Sequence, residues 1–164
     1  MNQIVGGWQL AGVTLFQSGP FLTVVTPGAD PAGNNFPNLE AAGRVDSVPG
    51  VPLYPANRSI LQWINPAAFA IPANNIGRPG NSPVGAVVGP GTQAVSLSLF
   101  KSFAIKERVT LQLGAAASNL LNHPNYLPPS NLNLGTSGFG SVTNVQTLES
   151  GGPRTLQMTA RITF

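Results

Sequence analysis

Residues 155–164 read Thr-Leu-Gln-Met-Thr-Ala-Arg-Ile-Thr-Phe. Leu156, Met158, Ala160, Ile162 and Phe164 fall on one side of this segment, and Thr155, Gln157, Thr159, Arg161 and Thr163 on the other. An unbroken period of two over this length predicts a β-strand. Residues 109–117 repeat the pattern less cleanly, with Val109, Leu111, Leu113, Ala115 and Ala117 opposed to Thr110, Gln112, Gly114 and Ala116. Residues 94–103 set Val95, Leu97 and Leu99 against Ser96, Ser98 and Ser102, with Phe100 on the serine side. A fourth segment, Ile4 to Gln17, is rich in Val, Leu, Trp and Phe but broken by Gly6, Gly7 and Gly12. The predicted strands are about 4–17, 94–103, 109–121 and 155–164. A short helix over 115–121 is the local rival, because Ala-Ala-Ala-Ser-Asn-Leu-Leu contains good helix formers.

Proline placement agrees with this division. Twelve of the 16 prolines lie between Pro20 and Pro90, and none falls in 1–19, 91–123 or 154–164. Proline cannot donate to a strand ladder and is expelled from sheet interiors. Two long loops, 18–93 and about 122–153, carry the prolines along with Gly, Asn, Ser and Thr. Loops of that length point to function or disorder. The connection Ala104-Ile105-Lys106-Glu107-Arg108, by contrast, is a short charged turn.

Strands of this length match the ~9–11 residues needed to cross a bilayer. One apolar side and one small or polar side fits a wall between lipid and a wet lumen. The same alternation also fits a half-buried sheet in a soluble sandwich. Composition favours the membrane. Only 8% of the 164 residues are charged, against about 25% for an average soluble domain. The scale is wrong for a complete barrel, however. Four strands cannot close one, since the smallest need about 8, and open edges in lipid cost several kcal/mol per unpaired group. A longer chain, an assembly of copies, or a soluble sheet would each resolve this.

Several strings resemble one family. They are Val5-Gly6-Gly7-Trp8-Gln9-Leu10-Ala11-Gly12 followed by Gln17-Ser18-Gly19-Pro20-Phe21, Trp63-Ile64-Asn65-Pro66-Ala67-Ala68-Phe69, Gly89-Pro90-Gly91, Leu97-Ser98-Leu99-Phe100-Lys101-Ser102-Phe103, and Leu111-Gln112-Leu113 through Asn119-Leu120-Leu121-Asn122-His123-Pro124-Asn125-Tyr126. Together they look like the C-terminal portion of a TonB-dependent outer-membrane receptor of the carboxypeptidase-regulatory-like, Oar-like branch, acidobacterial type. The resemblance implies an all-β fold of about four antiparallel strands with two long loops, the last strands of a large outer-membrane β-barrel. It makes residues 1–164 a partial barrel domain, placed in the outer membrane and not competent for transport alone. A whole transporter of this type has about 22 strands around a plug; the plug, the TonB box and a signal peptide have no counterpart here. The terminal Phe164, with Ile162 and Ala160, would be the signal read by the barrel-assembly machinery. Arg161, Gln157 and Gln112 would face the lumen. The partners implied are the remaining barrel strands or other copies of the chain, the assembly machinery and outer-membrane lipid. The family pattern carries Arg and Glu where this chain has Gly114 and Ala116, so lumen charges are missing here.

Chemical motifs change this picture little. The chain has no Cys and one His, which removes thiol chemistry and multi-histidine metal sites. The net charge of +3 is not clustered, as nucleic-acid binding would require. Glu149-Ser150-Gly151-Gly152-Pro153 is similar to the string around a serine-protease nucleophile, but a triad also needs a base and an orienting acid. The bland reading is a turn before the last strand. The acids Asp30, Glu40, Asp46, Glu107 and Glu149 are scattered without EF-hand spacing. The expectation is a non-enzyme with no metal and no cofactor. Trp8 and Phe164 are either interface aromatics or ordinary core residues. The alternative function is a self-assembling or soluble β-rich structural or interaction protein, because exposed strand edges invite pairing.

Overall fold

The computed structural model describes residues 2–33, 43–147 and 151–164. Its elements are a helical turn α1 (Asn2–Val5) and strands β1 (Trp8–Gln17), β2 (Phe21–Leu22), β3 (Asp46–Ser47), β4 (Phe69–Ala70), β5 (Val87–Val88), β6 (Thr92–Lys106), β7 (Val109–Ser118) and β8 (Thr155–Thr163). The four long strands form one antiparallel sheet in the order β1-β6-β7-β8. The chain divides into two compact units. One holds this sheet with residues 1–17, 92–125 and 145–164; the other holds 18–91 and 126–144.

The sheet follows the alternation, with three corrections at its ends. The first strand begins at Trp8, not Ile4, because Asn2–Val5 coil into a helical turn. Gly7, at φ +77°, makes the bend between them, and a Cβ there would sit 2.6 Å from the Ser102 carbonyl oxygen. Over 115–121 the strand prevails over the helix and ends at Ser118, where Asn119 turns to φ +46°. β6 runs on to Lys106, since a register shift between Ala104 and Lys106 accommodates Ile105 as a bulge. Glu107-Arg108 then closes a tight hairpin onto Val109. The strings around Glu40, Glu149 and Ser150 lie wholly or partly outside the described residues.

Two asparagines finish the sheet where β7 ends. Asn119 is buried, donates from Nδ2 to the carbonyls of His123 (2.9 Å) and Gly152 (2.8 Å), and accepts the His123 N–H at 3.1 Å. Asn125 is buried too, accepting the Gln93 N–H at 2.7 Å and donating to the Gln93 carbonyl at 3.0 Å. Its amide thus pairs with Gln93 as a peptide group in a ladder would. Such partners are what a buried backbone group needs at a strand end.

The second unit is where the buried apolar cluster lies. Leu22, Val24, Val45, Ile64, Ala68, Phe69, Val87 and Leu134 pack together, flanked by Tyr54, Trp63 and Phe139. The long loops of the sequence reading are therefore folded in large part. Trp63-Ile64-Asn65-Pro66-Ala67-Ala68-Phe69 is a knot within this unit. Asn65 caps a 3₁₀ turn (Pro66–Ala68) by accepting from the Ala67 N–H at 3.1 Å. Its Nδ2 also donates to the Pro52 carbonyl at 2.9 Å, and Trp63 Nε1 donates to the Val88 carbonyl at 3.0 Å. Proline at the first position suits such a turn, because its missing N–H has no partner there anyway. Ile64 is fully buried. Ile64→Ala is expected to destabilise this unit by about 2–5 kcal/mol, read as lost hydrogen-exchange protection at the Trp63 amide, which is bonded to the Gly140 carbonyl.

Candidate functional site

The candidate site is the pair of sheet faces. Directly opposed residues of antiparallel strands share a face, so the register assigns every side chain. One face carries Leu10 opposite Leu99, Leu99 opposite Ala115, and Ala115 opposite Met158. Its next rows join Gly12, Leu97, Ala117 and Leu156, and then Phe103, Leu111 and Ile162. Trp8 stands at the start of β1 on the same face, opposite Lys101. The other face carries Gln9, Phe100, Gly114 and Thr159 in one row and Ser102, Gln112 and Arg161 in the next.

The apolar face is uncovered. Met158 is 89% exposed, and Trp8, Leu10, Phe16, Leu156, Ile162 and Phe164 are all exposed as well. An apolar surface of this extent marks an interaction site or a membrane contact. Aromatic residues stand toward both ends of the face, with Phe16 near the long-loop end and Trp8, Phe103 and Phe164 toward the hairpin. Of the proposed assembly-signal residues, Ala160 and Ile162 lie on this face opposite Leu113 and Leu111, and Phe164 follows one residue beyond β8. Gln112 and Arg161 are cross-strand partners on the polar face, and Gln157 joins them there, opposite Ala116.

The Gly114 position has a local cause. Phe100 lies opposite it on the polar face, and a Cβ on Gly114 would come 2.5 Å from the Phe100 ring. Here the glycine leaves room for the aromatic ring to lie over the backbone, a pairing that protects an otherwise bare strand glycine.

Lys101 is the basic residue that alternation places among apolar ones. Its ammonium donates to the Ile4 carbonyl at 3.3 Å and to the Gly6 carbonyl. It also lies 4.9 Å from the Trp8 ring centroid and 5.3 Å from that of Phe103. Trp8 Nε1 bonds the same Ile4 carbonyl at 3.1 Å. The carbonyls of Ile4, in α1, and Gly6, just after it, thus gather at the head of Lys101, a contact nearly a hundred residues apart in sequence that no local pattern signals.

The loop unit has its own electrostatic centre. Arg78 holds Asp46 through two hydrogen bonds, at 2.7 and 2.9 Å, and the Asn81 N–H adds a third at 2.8 Å. The Arg78 guanidinium and the Asn81 N–H hold the Asp46 carboxyl below its ordinary range. Arg58 stacks over Tyr54 at 3.8 Å and faces Trp63 at 4.8 Å. Among the described residues no group of three or more His, Cys, Asp or Glu is placed to hold a metal ion. His123 serves the asparagine turn described above.

The meander of long strands, with its bare apolar face and a reverse of polar and small residues broken by Val13, Leu15 and Phe100, describes the wall of a membrane barrel. The family model of the outer membrane beta barrel domain matches residues 1–157. The chain belongs to that family. Neither a curated protein nor a solved structure matches it. Membership places this barrel domain in the outer membrane and explains why the sheet lacks the cover that a soluble sandwich would give it. No helix among the described residues is long and apolar enough to cross a membrane.

Two measurements follow. The chain lacks cysteine, so single cysteines can be introduced along β8 without background. In bilayers, cysteines at 157, 159 and 161 should react with a water-borne maleimide, and those at 156, 158, 160 and 162 should be protected; labelling without alternation contradicts the face assignment. For Asp46, the folded carboxyl titrates below the unfolded one, so the ion pair stabilises above about pH 4. That contribution is lost as pH falls through the folded value. The excess melting temperature of wild type over Asp46→Asn should therefore be present at pH 5–7 and shrink as the pH falls below about 4.

Proposed function

We propose that the chain is the C-terminal barrel segment of a TonB-dependent outer-membrane receptor, a non-catalytic wall element that does not transport by itself. The observation that carries this reading is the open meander of four long strands. Its apolar face lacks cover, and among the described residues β1 and β8 each have one unpaired edge. Backbone groups cannot stay unpaired in hydrocarbon, so these edges call for further strands. The five resembling strings, in order along the chain, support the receptor assignment. Phe164, Ile162 and Ala160 serve as the assembly signal on the last strand. Arg161, Gln157 and Gln112 face the lumen. Both long connections leave the sheet at one end and the two-residue hairpin turn lies at the other. In barrels short turns face the periplasm and long loops the outside, so the two long connections leave the sheet on the ligand-facing side.

The two unpaired edges also favour a second reading, in which copies of the chain pair with one another as a β-assembly. A chimera separates the two. In it, residues 1–164 replace the last four strands of a TonB-dependent receptor of the same branch. Heat-modifiable assembly in the outer membrane, with uptake that disappears when TonB is deleted, is the expected result. Failure to assemble, together with steady single-size conductance steps from the 164-residue chain alone in a planar bilayer, would replace the receptor reading with a self-assembled pore.

A further inference from the structure

We propose that Lys101 and the groove beside it form a seat for one anionic phospholipid on the outer wall of the barrel, at the hairpin end. This rests on the membrane-wall reading above and adds a specific ligand to it.

The residue is out of place by the alternation rule. Lys101 stands in a row with Trp8 and Leu113, flanked along its strand by Leu99 and Phe103. It is only 6% exposed, while Trp8, Leu99 and Leu113 around it are exposed. A lysine on a lipid-facing strand is most costly at the bilayer midplane, and the cost falls where the head can reach the interface. The Lys101 ammonium reaches the carbonyls of Ile4 and Gly6, on the hairpin side of Trp8. Those carbonyls satisfy donors but supply no full negative charge. The one ion pair among the described residues is Arg78 with Asp46, in the other unit. A full positive charge is thus fixed at the edge of an apolar surface without a carboxylate.

Beside it lies an open groove of about 520 Å³. Trp8, Leu99, Leu113 and Met158 border it, and the small residues Ala115 and Ala160 leave its floor low. The lining is apolar apart from Lys101 and Thr159. A molecule that fits both parts has an acyl chain to lie in the groove and an anionic phosphate to meet the ammonium. The indole and phenyl rings of Trp8 and Phe103 flank that charge at the level where aromatic girdles meet headgroups. The hairpin end faces the periplasm by the turn-length rule, so the phosphate belongs to a phospholipid of the inner leaflet.

Trp8 is a reporter at the site. The full 164-residue chain, with Trp63→Phe to silence the second indole, would be reconstituted in bilayers carrying brominated phosphatidylglycerol or brominated phosphatidylcholine at equal fraction. The expected result is at least twofold stronger quenching of Trp8 by the phosphatidylglycerol at low salt. Lys101→Met should reduce the ratio to one, and Lys101→Arg should keep it. If Lys101→Met does not fold, the wild-type ratio should still fall toward one in high salt, because a headgroup charge contact is screened. Equal quenching by both lipids at low salt overturns the seat while leaving the membrane wall standing. Absence of quenching by either lipid overturns both.

Discussion

The register of the three antiparallel ladders is the constraint on which the sheet depends. Side chains alternate with a period of two, so a slip of one residue in any ladder would send that strand's apolar set to the wet face. β6 is bonded on both sides, to β1 and to β7, and so fixes the faces of its neighbours. The bulge at Ile105 lies beyond the last β1 partner, Lys101, and therefore leaves the β1 ladder in phase. Gly114 under Phe100 gives β7 a further reason to keep its place, because moving either residue would put a side chain where the ring lies.

The two units divide the apolar residues in opposite ways. In a soluble sandwich the sheet would bury its apolar side and the loops would be mostly polar connections. Here the strands leave theirs bare, while the connections gather Ile64, Val24, Val45 and Val87 into a buried cluster. The hydrophobic effect thus acts within the loop unit in water, and lipid takes the role of core for the sheet. Polar side chains help to shape both units. Asn65 caps a turn, Asn119 and Asn125 bond buried backbone at the strand ends, and Asp46 gathers Arg78 and the Asn81 N–H.

Much of the sheet was legible because its information is local. Thr155–Thr163 and Val109–Ser118 announce themselves by alternation, and proline is missing where the ladders need donors. The polar-face pairing of Gln112 with Arg161 needed the register, since parity places each on a face but does not pair them. What escaped was non-local. Ile4 and Val5 read as strand residues, yet they belong to a helical turn that bends at Gly7 and offers the Ile4 carbonyl to Lys101. The loop core escaped for a similar reason. Its residues come from separated stretches with no common period, and short pairs such as Leu22 with Val87 are too brief to leave a pattern.

The direction of the outer strands carries a consequence for whatever completes the wall. β1 and β8 are separated by two intervening strands in a sheet whose every neighbour is antiparallel, so the two edge strands run in opposite senses. If antiparallel pairing continues around a closed circle, any arc joining these edges holds an even number of strands. An odd arc would force one parallel seam, with slanted bonds and a different spacing. The orientation of β1 and β8 thus sets the parity of any strands that would close the wall between them.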